Sequence, residues 1–413
     1  MSSQPLRVLI SGASVAGPAA AYWLCRQGVE VTVVERMPLA RVRSSGHAVD
    51  LFGPAMEVTE WMGVLPAVMD ARTRTEIISF LRDHGRGVDV EMRRLVAGIS
   101  GRHVEVMRGA LADILYEATR TDARYLFDDS IVTLDEQPGG VAVTFERAPA
   151  DRYDVVVGAD GLHSHVRRLV FGPEDGFRRF LGGYFAGAAL PNYLGLEGRM
   201  EVWNAPGRLA AIYPVHRTSM ARGGFFFRRR EELPLDHHDV AGQKQVLHQI
   251  YGADGWHVPR LLAEMDAADD FYFDSISQIV MENWVTGRVA LVGDAGYSPG
   301  PAVGGGTSIA MVGAYVLGDE LTRPVRNPQA GLRAYEDRIR GLVVRARRVG
   351  PATMATLIPR SALQVWLMPE LLRLVTMLPS RVQQRLFQLQ ATPARALDSV
   401  QLDRPPVVHP RTP

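Results

Sequence analysis

The sequence is short of three things. It has one cysteine, Cys25, one lysine, Lys244, and no uninterrupted apolar run long enough for a membrane span. A lone cysteine excludes an internal disulfide and a paired-cysteine metal site, and it fits a reducing compartment. The most apolar late stretch, ALQVWLMPELLRLVTML, carries Pro369, Glu370 and Arg373, which argues against a spanning helix. The N-terminus, MSSQPLRVLISG, runs directly into a strand pattern without the charged and apolar regions of a signal peptide, so a cytoplasmic location is expected. An excess of charge is missing too. Net charge is +1, which gives no reason to expect nucleic acid or an anionic membrane surface as a partner. There is no HExxH and no Ser-His-Asp arrangement, so hydrolase and metal-centre readings have no support.

What is present is an ordinary globular composition, 46% hydrophobic and 22% charged, in 413 residues, enough for two domains or one elaborated domain. Leu6 to Ser11 reads as a buried parallel strand and Gly12 ends it. Pro18 suits the first turn of a helix, where a missing N–H costs nothing. Ala19 to Gln27 continues helix-like, Gly28 stops it, and a second strand from Val29 to Val34 ends on Glu35 and Arg36. This is a βαβ start with an acid about twenty residues after the glycines, as dinucleotide recognition requires. Gly12, Ser14 and Gly17 occupy the GxGxxG positions. Glycines let the backbone turn and approach a pyrophosphate, while a helix N-terminus offers unpaired N–H groups. Ser14 departs from the pattern but is small and keeps its N–H. Glu35 would bind a ribose hydroxyl pair.

Two further loops share this design. YDVVVGADGLHSHVRRLV is an apolar strand ending on Gly158-Ala159-Asp160-Gly161, and VALVGDAGYSPGPAVGGGTSIAM is another ending on Gly293-Asp294. Together with the opening loop they resemble the flavin-dependent monooxygenases of the para-hydroxybenzoate hydroxylase type, the class A aromatic hydroxylases. Within that group the sequence looks closest to the tetracycline-inactivating and antibiotic-tailoring enzymes. The resemblance reaches to about Arg348.

The resemblance implies FAD held extended between two loops. The first takes the adenine-side ribose and pyrophosphate. The second takes the ribityl chain and flavin ring, with Asp294 accepting from ribityl hydroxyls and Pro301, Gly304 and Gly306 near the pyrimidine edge. Arg43 matches an arginine of the FAD and nicotinamide region, and Asp50 a polar residue over the flavin. Arg108 matches a cofactor-contacting arginine on a helix, and Asp160 the aspartate of the DG motif. His47 lies near the flavin edge as a candidate substrate or flavin contact. His163 and His165, in the DG loop, are read as solvent-facing. Tyr297 and Ser308 stand where the family usually has His and Asn. The implied reaction uses NAD(P)H and O2 and forms a flavin C4a-hydroperoxide that hydroxylates an aromatic or polyketide-like small molecule.

The expected fold is α/β: a Rossmann-like FAD-binding domain of glutathione-reductase type, an inserted mainly β substrate domain, and C-terminal helices. The FAD domain takes 1–75, 97–175 and 270–345, the substrate domain 76–96 and 176–269, and a helical segment and loose tail 346–413. TEIISFLRDHGRGVDVEM reads as a hairpin lending strands to the substrate sheet. Alternation makes Trp203, Tyr213, Phe225 and Phe227 candidates for the substrate wall. The segment from Ser361 to Leu389 reads as helical, either bridging the domains or forming a dimer surface, in a monomer or homodimer. Two rivals remain, a flavin-dependent reductase or dehydrogenase of an isoprenoid or polyketide and a non-catalytic flavin-binding protein; a third, a flavin-dependent halogenase, is disfavoured. The halogenase reading needs a lysine in the first third of the chain and a WxWxIP motif. Lys244 is misplaced for it and the tryptophans lack the spacing.

Overall fold

The computed structural model describes residues 5–44, 46–82, 87–94, 102–236, 238–300, 304–323, 327–379, 382–383 and 402–404. Two sheets organise it. The first has six strands in the order Val285–Thr286, Val289–Leu291, Val155–Gly158, Arg7–Ser11, Glu30–Glu35 and Arg124–Phe127. Only the edge pair Val285–Thr286 and Val289–Leu291 is antiparallel. At its centre Val8, Leu9, Ile10, Val155, Val156 and Val157 are fully buried. A parallel sheet covered on both faces explains why these strands read as unbroken apolar runs.

The helix Ala16–Arg26 follows the first strand and packs against the helix Gly306–Leu321. Gly318 makes the close approach possible, because a Cβ there would stand 2.5 Å from the Cβ of Trp23. The N-terminal and late segments therefore sit side by side.

The second sheet has seven strands in the order Tyr272–Ile279, Arg178–Pro191, Met220–Arg228, Arg208–Pro214, Arg199–Ala205, Ile77–Leu81 and Val88–Glu91. The hairpin near residue 80 enters this sheet by a parallel pairing of Ile77–Leu81 with Arg199–Ala205. Tyr272–Ile279 belongs here as well, beyond the boundary expected at residue 269. FYFDSISQIV has no glycine or proline to mark the passage, so composition gives no signal of it.

Each face of this sheet has its own cover. Tyr184, Trp203, Phe225 and Phe227 pack beneath the helices Val240–Tyr251 and Val258–Ala267, through Leu247, Tyr251, Leu261 and Met265. Phe185, Val202, Leu209, Ala211 and Ile276 occupy the other face with Val349, Met354 and Ile358. Val349 and Met354 lie in the 30-residue helix Pro328–Leu357, whose earlier residues Leu332, Tyr335 and Ile339 belong to the core of the first sheet. This helix bridges the two layers, one of the two roles the sequence offered for Ser361 to Leu389. Among the described residues no helix is long and apolar enough to cross a membrane.

Candidate active site

The opening loop is shaped by two glycines that tolerate no substitute. Gly12 has φ +108°, and a Cβ there would lie 2.4 Å from the carbonyl oxygen of Ala159; one at Gly17 would lie 1.9 Å from the carbonyl oxygen of Gly12. The Glu35 carboxylate accepts from the N–H of Ala13 at 2.8 Å and of Met37 at 2.9 Å, which fixes the loop against the end of the second strand. No side chain caps the helix that starts at Ala16. Its first turn keeps N–H groups and partial positive charge for an anion. Ser14, Glu35 and Arg36 line the cleft that begins here.

The far end of the same cleft is built by the late loop. Asp294 opens onto the cleft and is enclosed by protein on its other sides; that burial pushes its carboxyl above the usual range, against the Ser298 hydroxyl and the positive charge of Arg108. Gly304 and Gly305 have φ of +86° and +78° and turn the chain into the helix beginning at Gly306, again without a side-chain cap. Gly306, Thr307 and Arg108 complete this end. Ser308 accounts for one departure from the family pattern. Its hydroxyl donates to the carbonyl of Asp50 and accepts from the N–H of Phe52, both at 3.0 Å, tying the helix to the strand Ala48–Phe52. Tyr297, the other departure, is a core residue whose hydroxyl donates to that of Tyr335 at 2.9 Å. Pro301 lies outside the described residues.

The DG loop joins the two ends. Asp160 accepts from the Ser164 hydroxyl at 2.6 Å and from the N–H groups of His165 and Val166 at 2.8 and 3.0 Å, capping the helix His165–Val170. Asp160 also lines the cleft. Arg167 is fully buried and donates to the carbonyls of Leu162 and Ala295 and to Glu174. It thereby pins the DG loop to the loop that carries Asp294. His163 is not the solvent-facing residue the sequence suggested. Its ring bonds Glu174 at 2.9 Å and Asp274 at 2.8 Å. Burial works against the charged imidazole, but the two carboxylates outweigh it and push its pKa up to about 9.

The wall on the second sheet differs from the expected one. Trp203 and Phe225, with Phe227, are at most 1% exposed and face the helix-covered side, away from the cleft. They are core residues. Strand alternation identified a buried face, but a strand buried on both sides has two. Tyr213 is on the opposite face, and its hydroxyl accepts from the N–H of Ala48 at 3.1 Å. Burial pushes its pKa up to about 12. His47 sits against the rings of Phe185 and Tyr272, with centroids 4.3 and 5.3 Å away. Its burial, reinforced by Arg108 and Arg222, lowers its pKa to about 3. Asp50 bonds the His103 ring at 2.7 Å. Arg222, 6% exposed, is held by Asp270 and by the carbonyl of Ser44. Sequence reading missed Phe185, Tyr272, His103 and Arg222. The run of small residues in FLGGYFAGAAL, which lets other groups approach the sheet, was the available signal.

Arg43 is placed apart from the cleft wall. Its guanidinium pairs with Asp113 and Glu117, both at 2.6 Å, and packs over the Tyr116 ring. Its register against the family motif put it near the cofactor. The acidic face of the helix Arg108–Glu117 holds it elsewhere.

A parallel sheet with an open glycine loop at one end of a cleft, a second helix N-terminus and a carboxylate at the other, and a second sheet alongside make an elongated cleft suited to a dinucleotide cofactor. The chain belongs to the FAD-binding-domain family, whose model matches residues 5–348. It is 44% identical over 341 residues to an uncharacterized protein of Mycobacterium tuberculosis, covering 82% of this chain and 91% of the relative. It is 36% identical over 342 residues to a flavin-dependent monooxygenase of Legionella longbeachae, covering 81% and 87%. Among solved structures it is similar to the tetracycline destructase Tet(55), with 33% identity, a TM-score of 0.78, and coverage of 91% and 97%. These relationships make it an enzyme of the flavin-dependent monooxygenase class.

Proposed function

We propose that this enzyme uses NAD(P)H and O2 to hydroxylate an aromatic or polyketide-like small molecule, working in the cytoplasm. The observation that carries the reading is the cleft that runs from Glu35 and Arg36 past Asp160 to Asp294 and Gly306, where Arg108 acts both on Asp294 and on His47, the ring packed against Phe185 and Tyr272. The residues fit FAD in an extended form. Gly12, Ser14 and Gly17 with the first helix N-terminus would hold the pyrophosphate, Glu35 the adenosine ribose, and Asp294 the ribityl hydroxyls. Arg108 and Asp160 would flank the cofactor, Gly304 and Gly306 would meet the flavin's pyrimidine edge, and Asp50 would lie over the ring.

When bound, FAD supplies acceptance of hydride from NAD(P)H and activation of O2 for transfer to an electron-rich carbon. The chain supplies position, dryness and charge. The Arg222 guanidinium is paired with Asp270, and its Nε–H, which has no partner among the described residues, would be the group to donate to an ionised phenol or enol. His47 stays neutral near pH 7 and so serves as a hydrogen-bonding and packing group rather than a cation. Tyr213 stays protonated and can donate. The rings of Phe185 and Tyr272, packed with His47, would keep water from the reacting edge.

The test is anaerobic. Flavin-loaded protein is mixed with NADPH or NADH in the presence of phenols and polycyclic polyketides. The similarity to a tetracycline destructase makes a tetracycline the first member of that panel. Faster loss of flavin absorbance with one compound, followed by its oxygenation in air, supports the reading. Fast reduction without any compound favours a less selective reductase. No reduction by either nucleotide rejects it.

A further inference from the structure

The helix Ala362–Met377 is amphipathic in the reverse of the usual sense. The residues it buries are Pro369 and Thr376. Trp366 is 55% exposed, Leu371 45% and Leu374 58%, and Leu378 and Val382 just beyond it are exposed too. The helix is fastened by its polar side: Arg82 donates to the carbonyl of Trp366 at 3.0 Å and to Glu370 at 3.2 Å. What is left over is an apolar face with no cover among the described residues.

We propose that this face is the contact between two copies of the chain, paired antiparallel about a two-fold axis. Three observations select a second copy. Leu367, Leu371, Leu374 and Leu378 follow the alternating spacing of four and three residues that forms a helix–helix seam. Antiparallel pairing sets Leu371 against Leu374 of the other copy and Leu367 against Leu378, so one patch complements itself, as a closed two-fold interface requires. Among the described residues, nine of the fourteen exposed large hydrophobic side chains fall between Leu363 and Val382, and such a concentration of exposed apolar groups marks an interaction surface rather than ordinary scatter. The helix also carries no net charge to repel its copy. Its only ionised side chains are Glu370 and Arg373, 3.9 Å apart. A membrane surface would instead call for a polar face rich in lysine and arginine, and this helix has one arginine and no lysine.

The proposal is independent of the reaction. Sedimentation equilibrium of the full flavin-loaded chain, from about 0.5 to 50 µM, is expected to give the dimer mass. Leu371→Glu with Leu374→Glu should weaken dimerisation by at least about 100-fold while leaving flavin content and circular dichroism unchanged. If that variant fails to fold, cross-linking supplies the test. Mixed Cys25→Ser/Leu371→Cys and Cys25→Ser/Leu374→Cys proteins should form a covalent dimer on oxidation more readily than either alone. A wild-type chain that is monomeric throughout overturns the proposal. So does a charged variant that stays dimeric, or a monomer that sediments with neutral or anionic phospholipid vesicles through this face.

Discussion

His163 and Asp274 are joined by a 2.8 Å hydrogen bond that ties the DG loop to the second sheet across 111 residues of sequence. Asp274 also accepts from the Tyr272 hydroxyl at 3.1 Å, and the Tyr272 ring packs on His47. The cofactor cleft and the aromatic wall are thus connected through consecutive polar and ring contacts.

That pair makes stability pH-dependent. His163 is held protonated up to about pH 9, above the usual histidine value of 6.5. Its contribution is therefore complete below about pH 6.5 and lost as pH rises through 9. Thermal unfolding of the wild type should fall in temperature over this range. Asp274→Asn should flatten that part of the profile. An unchanged profile would refute the pairing.

His47 gives the opposite sign. Its pKa is lowered to about 3, so below about pH 6.5 the unfolded chain takes up a proton that the folded chain refuses. Stability should decline as pH falls from 6.5 toward 3. By NMR the His47 ring should show no titration between pH 5 and 8.

The glycine loop predicts loss of cofactor. Gly12→Ala and Gly17→Ala each force a Cβ into a carbonyl oxygen, and the flavin-to-protein ratio after purification should drop at least about tenfold. Asp294→Ala should weaken FAD binding by a comparable factor, with Asp294→Asn retaining much of it because the amide oxygen still accepts.

Two aromatic substitutions separate core from wall. Phe225→Ala should cost about 3–5 kcal/mol in denaturant unfolding, with ligand affinity unchanged in whatever protein remains folded. Tyr213→Phe removes the acceptor of the Ala48 N–H and should cost about 1–3 kcal/mol, less than the Phe225 change, and alter ligand-induced changes in flavin absorbance. The reverse pattern would restore Phe225 to the substrate wall.

The legible part of this protein was local. Strand, glycine turn, helix and acid from Leu6 to Glu35 lie within thirty residues, and each has a short-range cause. The DG loop and the late loop at Asp294 repeat that design, which made the proposed two-loop site readable. What escaped was decided by partners distant in sequence. Trp203 and Tyr213 look alike in alternating strands, and only the helices at 240–267 determine that Trp203 is on the covered face and Tyr213 on the other. Arg43 matched a motif by register, but two carboxylates on another helix claim it. His163 found a partner in Asp274, a lone acid in a strand that was assigned to the other domain.

The strand order also governs assembly in time. Val289–Leu291 lies beside Val155–Gly158 in the first sheet, yet most of the second sheet is encoded between them. A nascent chain can therefore complete the second sheet only after residue 279 emerges, and the first only after residue 291. Gly306, at the far end of the cleft, comes later still. Contacts this distant close slowly. The cleft proposed for the cofactor is consequently incomplete until Gly306 has emerged, and a chain stopped before residue 289 would leave the edge of Val155–Gly158 unpaired.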